Sequence, residues 1–546
     1  MHQCLSVTEI FTHICAILST QGARGDLASL ARTCRAFHGP ATEALWERLD
    51  DIGPLFDPME GDLYEFEEPR SHLLVLPRST RWCNLWELTF NRPATATDLA
   101  KFKARASRVR YLSVQLKFDD SWWEILSKLQ ALATYTDYPF FSKLLELRID
   151  EFATSQYDDI PLDLSRLGPF ATASLHHLHF NFSFYDNHSV TFFTDFVRRF
   201  PSLLDLRVQI PLYEDVVFPR SFEDMVPNWD ALQRVEIAVH YREQLQALSR
   251  LGHLERLQIG ILFCEGIPDE DIARSGGFPK LRDLSVQAGA KFDLCIRFLS
   301  LLRDTPLCNL GVETSTISPD GLSQLFDTLT RHVNPRSLEI LRVRDNRRRF
   351  EGLPPLVDDP YQLHSLQPFR NLRTLILQIP FVSTLLPILS LGQFAPSLTT
   401  LQLGYFGAVI PAYFEPKIHI QELAAICQTF PRLTELAIPV DASKPAEPSP
   451  TQAHAEQQTR LTKLSVSMSP IDCTSEVALF LSDAFPNLES LHASQLSCGP
   501  SRPRAFNWTD QAPEWHKAWQ KVMHWLPVLK RARAQERSRA FSSAPP

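Results

Sequence analysis

One phrase, apolar-x-x-apolar-x-apolar, returns through most of this chain and constrains its fold more than any other feature. Four copies carry a Phe-Pro prefix: FPSLLDL from Phe200, FPKLRDL from Phe278, FPRLTEL from Phe430 and FPNLESL from Phe485. Aligned, the phrase starts at Leu85, Val109, Leu144, Leu175, Leu203, Leu232, Leu254, Leu281, Leu307, Leu338, Leu372, Leu398, Leu433, Leu461 and Leu488, with a mean interval of about 29 residues. Repetition at that spacing predicts stacked units sharing one continuous core rather than a closed enzyme domain. In a strand, the fourth and sixth residues of the phrase point to the core and the third and fifth point away.

Helices fill several of the intervals. Leu322, Leu325, Phe326 and Leu329 fall on one helical face, as do Leu423, Ile426, Cys427 and Phe430, and Phe192, Phe193, Phe196, Val197 and Phe200 form a similar stripe. The proline after each phenylalanine lacks an amide donor and disfavours helix at the residue before it, so the prefix predicts a helix stop.

The rest of the composition sets bounds on function. At 546 residues and 44% hydrophobic content the chain can bury a large core, and its net charge of −8 argues against general nucleic-acid binding. The ten cysteines include no Cys-x-x-Cys pair, which suits reduced, buried thiols rather than a disulfide framework or a zinc site. No secretory leader and no apolar run of bilayer length stand out, so a cytoplasmic or nuclear location is expected. Gly-rich phosphate loops, Gly-x-Ser-x-Gly and His-Glu-x-x-His do not appear, and no cofactor, metal or catalytic residue is predicted.

Residues 5–46 read LSVTEIFTHICAILSTQGARGDLASLARTCRAFHGPATEALW. Ile10, Ile14, Ile17 and Leu18 recur at helical spacing, STQGARG breaks the run, and Asp26 is placed to N-cap a second helix carrying Leu27, Leu30, Ala31 and Cys34. A third segment ends in Leu45-Trp46. Three helices of this size bury little by themselves, so a partner or an adjoining domain is expected to cover them.

The order Leu5, Glu9, Ile10, Ile14, Asp26, Leu27, Leu30, Cys34, Arg35, Phe37, Leu45, Trp46 resembles an F-box, and the stretch around Cys34-Arg35 is similar to F-box families of mushroom-forming fungi. Val7 stands where that family usually has proline. The resemblance implies a trihelical motif that binds a Skp-type adaptor and, through it, a cullin-RING ubiquitin ligase. It assigns adaptor contact to Leu5, Val7, Glu9, Ile10, Ile14, Leu27, Leu30, Ala31, Cys34, Leu45 and Trp46. Read from the residues alone, the same helices also suit a cap that seals the first repeat.

The repeats resemble leucine-rich repeats over about 85–495. That family usually carries Asn or Cys three residues beyond the last core leucine; here Asn346 is the only asparagine in that register, so the turn backbone must be satisfied in another way. The resemblance implies that the third and fifth residues of each phrase line a binding face. Charge concentrates there in Glu146, Arg148, His177, His179, Asp205, Arg207, Arg234, Glu236 and Arg256, with Gln258 beside them, and this section is the expected substrate surface. Neighbouring opposite charges that neutralise one another are the plainer reading. His177 and His179 lack a third ligand and read as surface histidines.

Asp50 to Glu68 is acidic and reads as a connector, the stretch from Asp441 to Thr459 as an insertion, and RVRDNRRRF from Arg342 as a basic cluster. Residues 501–546 carry nine Lys/Arg against three Asp/Glu. There Trp515, Trp519, Val522, Met523, Trp525 and Leu526 predict an amphipathic helix closing the open end of the array. KRARAQERSR within it also suits a membrane surface or nuclear targeting. The expected fold is α/β: an F-box-like helical module at 1–50, a linker and cap at 51–84, an irregular leucine-rich-repeat solenoid at 85–495 and a helical C-terminal cap at 496–546. The expected function is that of a non-catalytic substrate receptor joining an unknown protein target to the ligase, with no nucleic acid and no membrane span. The alternative is a repeat scaffold without a ligase role.

Overall fold

The computed structural model describes residues 8–56, 64–67, 87–90, 92, 95–117, 140–152, 164–181, 196–209, 229–239, 242–261, 277–289, 291–302, 305–315, 317–346, 361–379, 384–404, 416–444, 459–467, 469–493 and 512–542. The chain forms two compact units, Met1–Ile259 with Phe263–Glu265 and Gly260–Leu262 with Gly266–Pro546. Among the described residues, no helix is long and apolar enough to cross a membrane.

The first unit opens with three helices, α1 (Thr8–Thr20), α2 (Arg24–Thr33) and α3 (Arg35–Glu47). Their core is small and aromatic: the Phe11 and Phe37 rings stack at 4.0 Å, and Cys15, Leu27, Ala41 and Ala44 close around them. Gly22, in the left-handed region at φ 72°, ends α1. The amide of Ala23 reaches back to the Leu18 carbonyl at 2.9 Å, which satisfies part of the helix end. Asp26 is not the N-cap; α2 begins at Arg24, and Asp26 lies in its first turn, where a carboxylate favours the positive end of the helix dipole.

Seven parallel strands follow, in the order β1 (Arg48–Leu49), β4 (Tyr111–Lys117), β5 (Glu146–Phe152), β6 (His177–Asn181), β7 (Asp205–Gln209), β8 (Arg234–Val239) and β9 (Arg256–Ile261). The Leu85 copy departs from the repeat. Leu85 itself lies outside the described residues, and its strand β3 (Glu87–Phe90) pairs antiparallel with β2 (Tyr64–Glu67). The reason is positional: β1, leaving α3, pairs with Tyr111 and Leu112 and so occupies the edge that an earlier repeat would need.

The second unit holds eight parallel strands: β10 (Asp283–Gln287), β11 (Asn309–Thr314), β12 (Ile340–Asp345), β13 (Thr374–Gln378), β14 (Thr400–Leu403), β15 (Glu435–Ala437), β16 (Lys463–Ser465) and β17 (Ser490–His492). Helices Phe292–Ser300, Pro319–His332, Leu385–Phe394, Glu422–Thr429 and Thr474–Ala484 run between them. The pairing register aligns the fourth residue of every phrase, so Leu284, Leu310, Leu341, Leu375, Leu401, Leu436, Leu464 and Leu491 form one column. Each is buried, and each fully buried leucine contributes roughly 2 kcal/mol of transfer free energy. Fourteen copies of the phrase, from Val109 onward, therefore enter the strands β4 to β17, with one register through β4 to β8 and one through β10 to β17. Each unit is a parallel α/β solenoid built on the recurring leucine phrase.

The Phe-Pro prefix does more than stop a helix. The amide of the first leucine folds back onto the carbonyl three residues earlier, as in Leu203 on Phe200, Leu281 on Phe278, Leu433 on Phe430 and Leu488 on Phe485. Phe141, Trp229 and Phe369 hold the same position in copies without Pro, and all seven aromatic side chains are buried. In these seven copies one aromatic thus plugs the core and closes the turn that launches the strand; Ala106, Leu251 and Ala395 close the same turn in others.

Backbone at the strand entries is satisfied by a ladder of its own. The carbonyl of the second phrase residue accepts two amides from the next strand: Arg373 O takes Thr399 N at 2.8 Å and Thr400 N at 3.1 Å. Thr399, Thr434 and Thr462 then add their hydroxyls to the second-residue carbonyl of the preceding strand, at 3.0, 3.0 and 3.1 Å. At the far end, the helix Ala512–Ser542 lays Trp519, Val522 and Leu526 on the unit, all buried, and Trp519 Nε1 donates to Ser469 O at 2.8 Å. Trp525 belongs to the opposite side and is 40% exposed.

Candidate interaction surfaces

The first candidate surface is α1. Its inward residues are Phe11, Cys15, Leu18 and Ser19, with Ser19 Oγ donating to Ala44 O at 3.1 Å. This leaves Ile10, Ile14 and Ile17 on another face, spaced i, i+4 and i+7, with Ile10 44% and Ile17 43% exposed. Glu9 is exposed at the start of the same helix. Three β-branched aliphatic side chains in a row on a short helix form an apolar stripe that this module's own core does not use.

The other predicted adaptor residues are placed differently. Leu5 and Val7 lie outside the described residues. Leu27 is fully buried and belongs to the module's core, because α2 must supply the aliphatic side chain that closes on the Phe11–Phe37 stack. Leu30, Ala31, Cys34 and Leu45 are half-buried and pack against that core. Trp46 is held within the chain, with the Arg105 guanidinium over its ring at 4.6 Å. Ile17 was in the periodic run but not among the predicted contacts; its spacing from Ile10 is the signal that finds it.

The module is tied firmly to the first repeats. Arg48 lies over the Tyr111 ring at 3.7 Å, Arg110 N donates to Glu47 O at 2.9 Å and Arg24 Nη2 donates to Arg48 O at 2.8 Å. Ion pairs Arg110–Glu47 at 3.7 Å and Lys143–Glu43 at 3.5 Å add to these, though their exposure makes them weak.

The second candidate surface is the face of β5 to β9 that points away from the core. Strand register puts His177, Asp205 and Arg234 in one row across β6 to β8, and Arg148, His179, Arg207 and Glu236 in the next row across β5 to β8. Nine of the ten predicted residues are at least partly exposed, whereas Asp205 is buried beneath the others. The Arg207 fork donates to both of its oxygens, Nε to Oδ1 at 3.1 Å and Nη2 to Oδ2 at 3.0 Å. His177 Nδ1, His179 Nε2 and Arg234 Nη1 each lie 3.8 Å from Oδ2. Burial alone would raise the Asp205 carboxyl; the two imidazoles and the Arg207 fork outweigh it and hold the group well below the usual carboxylate range. Glu236 is a second hub, its Oε1 accepting from Gln209 Nε2 at 2.9 Å and Gln258 Nε2 at 3.0 Å. Asp205 is thus paired with Arg207 on its own strand and approached from β6 and β8, Glu236 accepts from β7 and β9, and the face presents a polar mosaic.

Among the described residues, no group of three or more His, Cys, Asp or Glu is arranged to hold a metal ion. Cys295 and Cys427 are buried within their repeats, and burial pushes both thiols up, that of Cys427 to about 12, so neither is a ready thiolate near neutral pH.

No protein-family model matches the chain. No curated protein matches it either. Solved structures similar to it include an internalin of Listeria monocytogenes, 13% identical, covering 60% of this chain and 77% of its own, with a TM-score of 0.32. A leucine-rich-repeat protein of Leptospira interrogans is 15% identical, covers 72% and 98%, and scores 0.33. A chain from the yeast Rad7 and Elc1 complex is 15% identical, covers 63% and 73%, and scores 0.30. The repeat fold stands on strand register and phrase alone, and no role is carried over from these proteins.

Proposed function

We propose that the chain is a non-catalytic receptor that joins a protein target, held on the repeat surface, to a cullin-RING ubiquitin ligase through a Skp-type adaptor docked on the N-terminal helices. The observation that carries this reading is the Ile10–Ile14–Ile17 stripe, exposed at Ile10 and Ile17 and half-buried at Ile14. A helical module with its own closed core has no folding need for that stripe, and covering it with a partner removes apolar surface from water. The contacts of Arg24, Arg48, Glu47 and Arg105 support a second requirement, since a receptor acts by proximity and needs a fixed path from adaptor to target. The mosaic around Asp205 and Glu236 is the proposed target face, where paired polar groups select by complementarity rather than by bulk charge.

Co-expression of the full chain with a Skp-type adaptor tests the proposal. Stoichiometric co-purification that Ile10→Asp with Ile17→Asp abolishes is the expected result, and a wild-type chain that binds no adaptor would refute it. One observation favours the plain scaffold: Leu27 and Trp46 are both used inside the chain, as they would be in a cap. Under that reading the same substitutions change no binding partner.

A further inference from the structure

We infer that the outward face of the terminal helix Ala512–Ser542 is a docking surface for anionic phospholipid bilayers. The inner side of this helix is fixed by Trp519, Val522 and Leu526, by Lys530 donating to the Leu488 carbonyl and by Arg533 pairing with Asp483. At 3.6 residues per turn, Lys517, Lys521, His524, Trp525, Val528 and Arg531 then fall on the other side, and all six are exposed. Val528 is 62% exposed and Trp525 is 40% exposed, two apolar side chains one turn apart with cations a turn before and a turn after.

Beyond Lys517, which pairs with Glu514 at 2.9 Å, the charge on this face as far as Arg531 has one sign. Residues 512–542 carry seven Lys/Arg against two Asp/Glu, and the two carboxylates, Glu514 and Glu536, bracket the stretch without interrupting it. Protein interfaces are depleted in lysine. A line of cations around an indole instead matches the headgroup layer of an acidic bilayer, where phosphates and carboxylates meet the cations and tryptophan rests at the water boundary. From Lys517 to Arg531 the line is about 21 Å long on a straight helix axis, so a flat surface reaches every member at once. Acidic groups elsewhere on the protein that stand more than about 8 Å from the lipid are screened at physiological salt.

Sedimentation of the full chain with mixed phosphatidylcholine–phosphatidylserine vesicles, against pure phosphatidylcholine vesicles, tests the inference. The protein is expected to pellet with the mixed vesicles only, and less as salt is added. Lys521→Gln and Arg531→Gln should each lower the partition coefficient about fivefold. Trp525→Ser with Val528→Ser should lower it as well, and because all four positions are exposed, the melting temperature of every variant should match the wild type. Absence of wild-type pelleting, equal pelleting with pure phosphatidylcholine, or unchanged pelleting of the variants overturns it. Capture of a polyglutamate peptide without vesicle binding also overturns it, in favour of an acidic protein partner.

Discussion

Asp205 is the single side chain on which the polar mosaic of the first unit turns. Its carboxylate is buried, yet Arg207, Arg234, His177 and His179 converge on it. Removing the charge in Asp205→Asn leaves those groups without their counter-ion and should cost about 2–3 kcal/mol. That is less than for a fully buried pair, because Arg207 and Arg234 are each over 40% exposed. The sign of the pH dependence follows from the depressed carboxyl. Its ionised form stabilises the fold above the unfolded value of about 3.9, and the gain is lost as pH falls below it. Thermal melts should therefore show a gap between wild type and variant at neutral pH that closes below about pH 4; a gap that widens in acid would contradict the assignment. Strand alternation sets Asp205 on the side of β7 opposite Leu206. It could not show the burial, because depth there depends on neighbours from two other strands, β6 and β8.

At the scale of elements, the turn plug and the strand exit set the repeat. Phe430 closes the turn onto Leu433 and fills the core beneath β15, so Phe430→Ala should cost about 3–5 kcal/mol in chemical denaturation. Leu386→Ala, at a side chain 78% exposed, should change stability by less than about 0.5 kcal/mol. Equal losses would deny the plug. Gly404 leaves β14 at φ 101°, and a Cβ there would meet Pro439 at 3.0 Å, so Gly404→Ala should destabilise by about 1–2 kcal/mol, measured the same way. The strands were legible because a leucine must recur wherever the register repeats. The turn was half legible: proline announced a helix end, but Phe141, Trp229 and Phe369 do the same work without it. The hydroxyl ladder of Thr399, Thr434 and Thr462 went unread, since a threonine second in the phrase looks like ordinary strand propensity.

For the molecule as a whole, the two proposed tasks fall on two surfaces: a greasy stripe on α1 for an adaptor, and a polar mosaic on β5 to β9 for a target. The N-terminal helices were readable from their periodicity, but periodicity alone did not say which side of α1 faces inward. Phe11 and Cys15 took the core because the ring of Phe37 stacks on Phe11, and that turned Ile10 and Ile17 to solvent. The most direct measurement is calorimetric titration of a purified Skp-type adaptor into the full chain and into the variant carrying Ile10→Asp and Ile17→Asp. One-to-one binding by the wild type and at least a hundredfold loss in the variant are expected, with both proteins melting at the same temperature. Equal affinity of the two, or no heat of binding from the wild type, would contradict it.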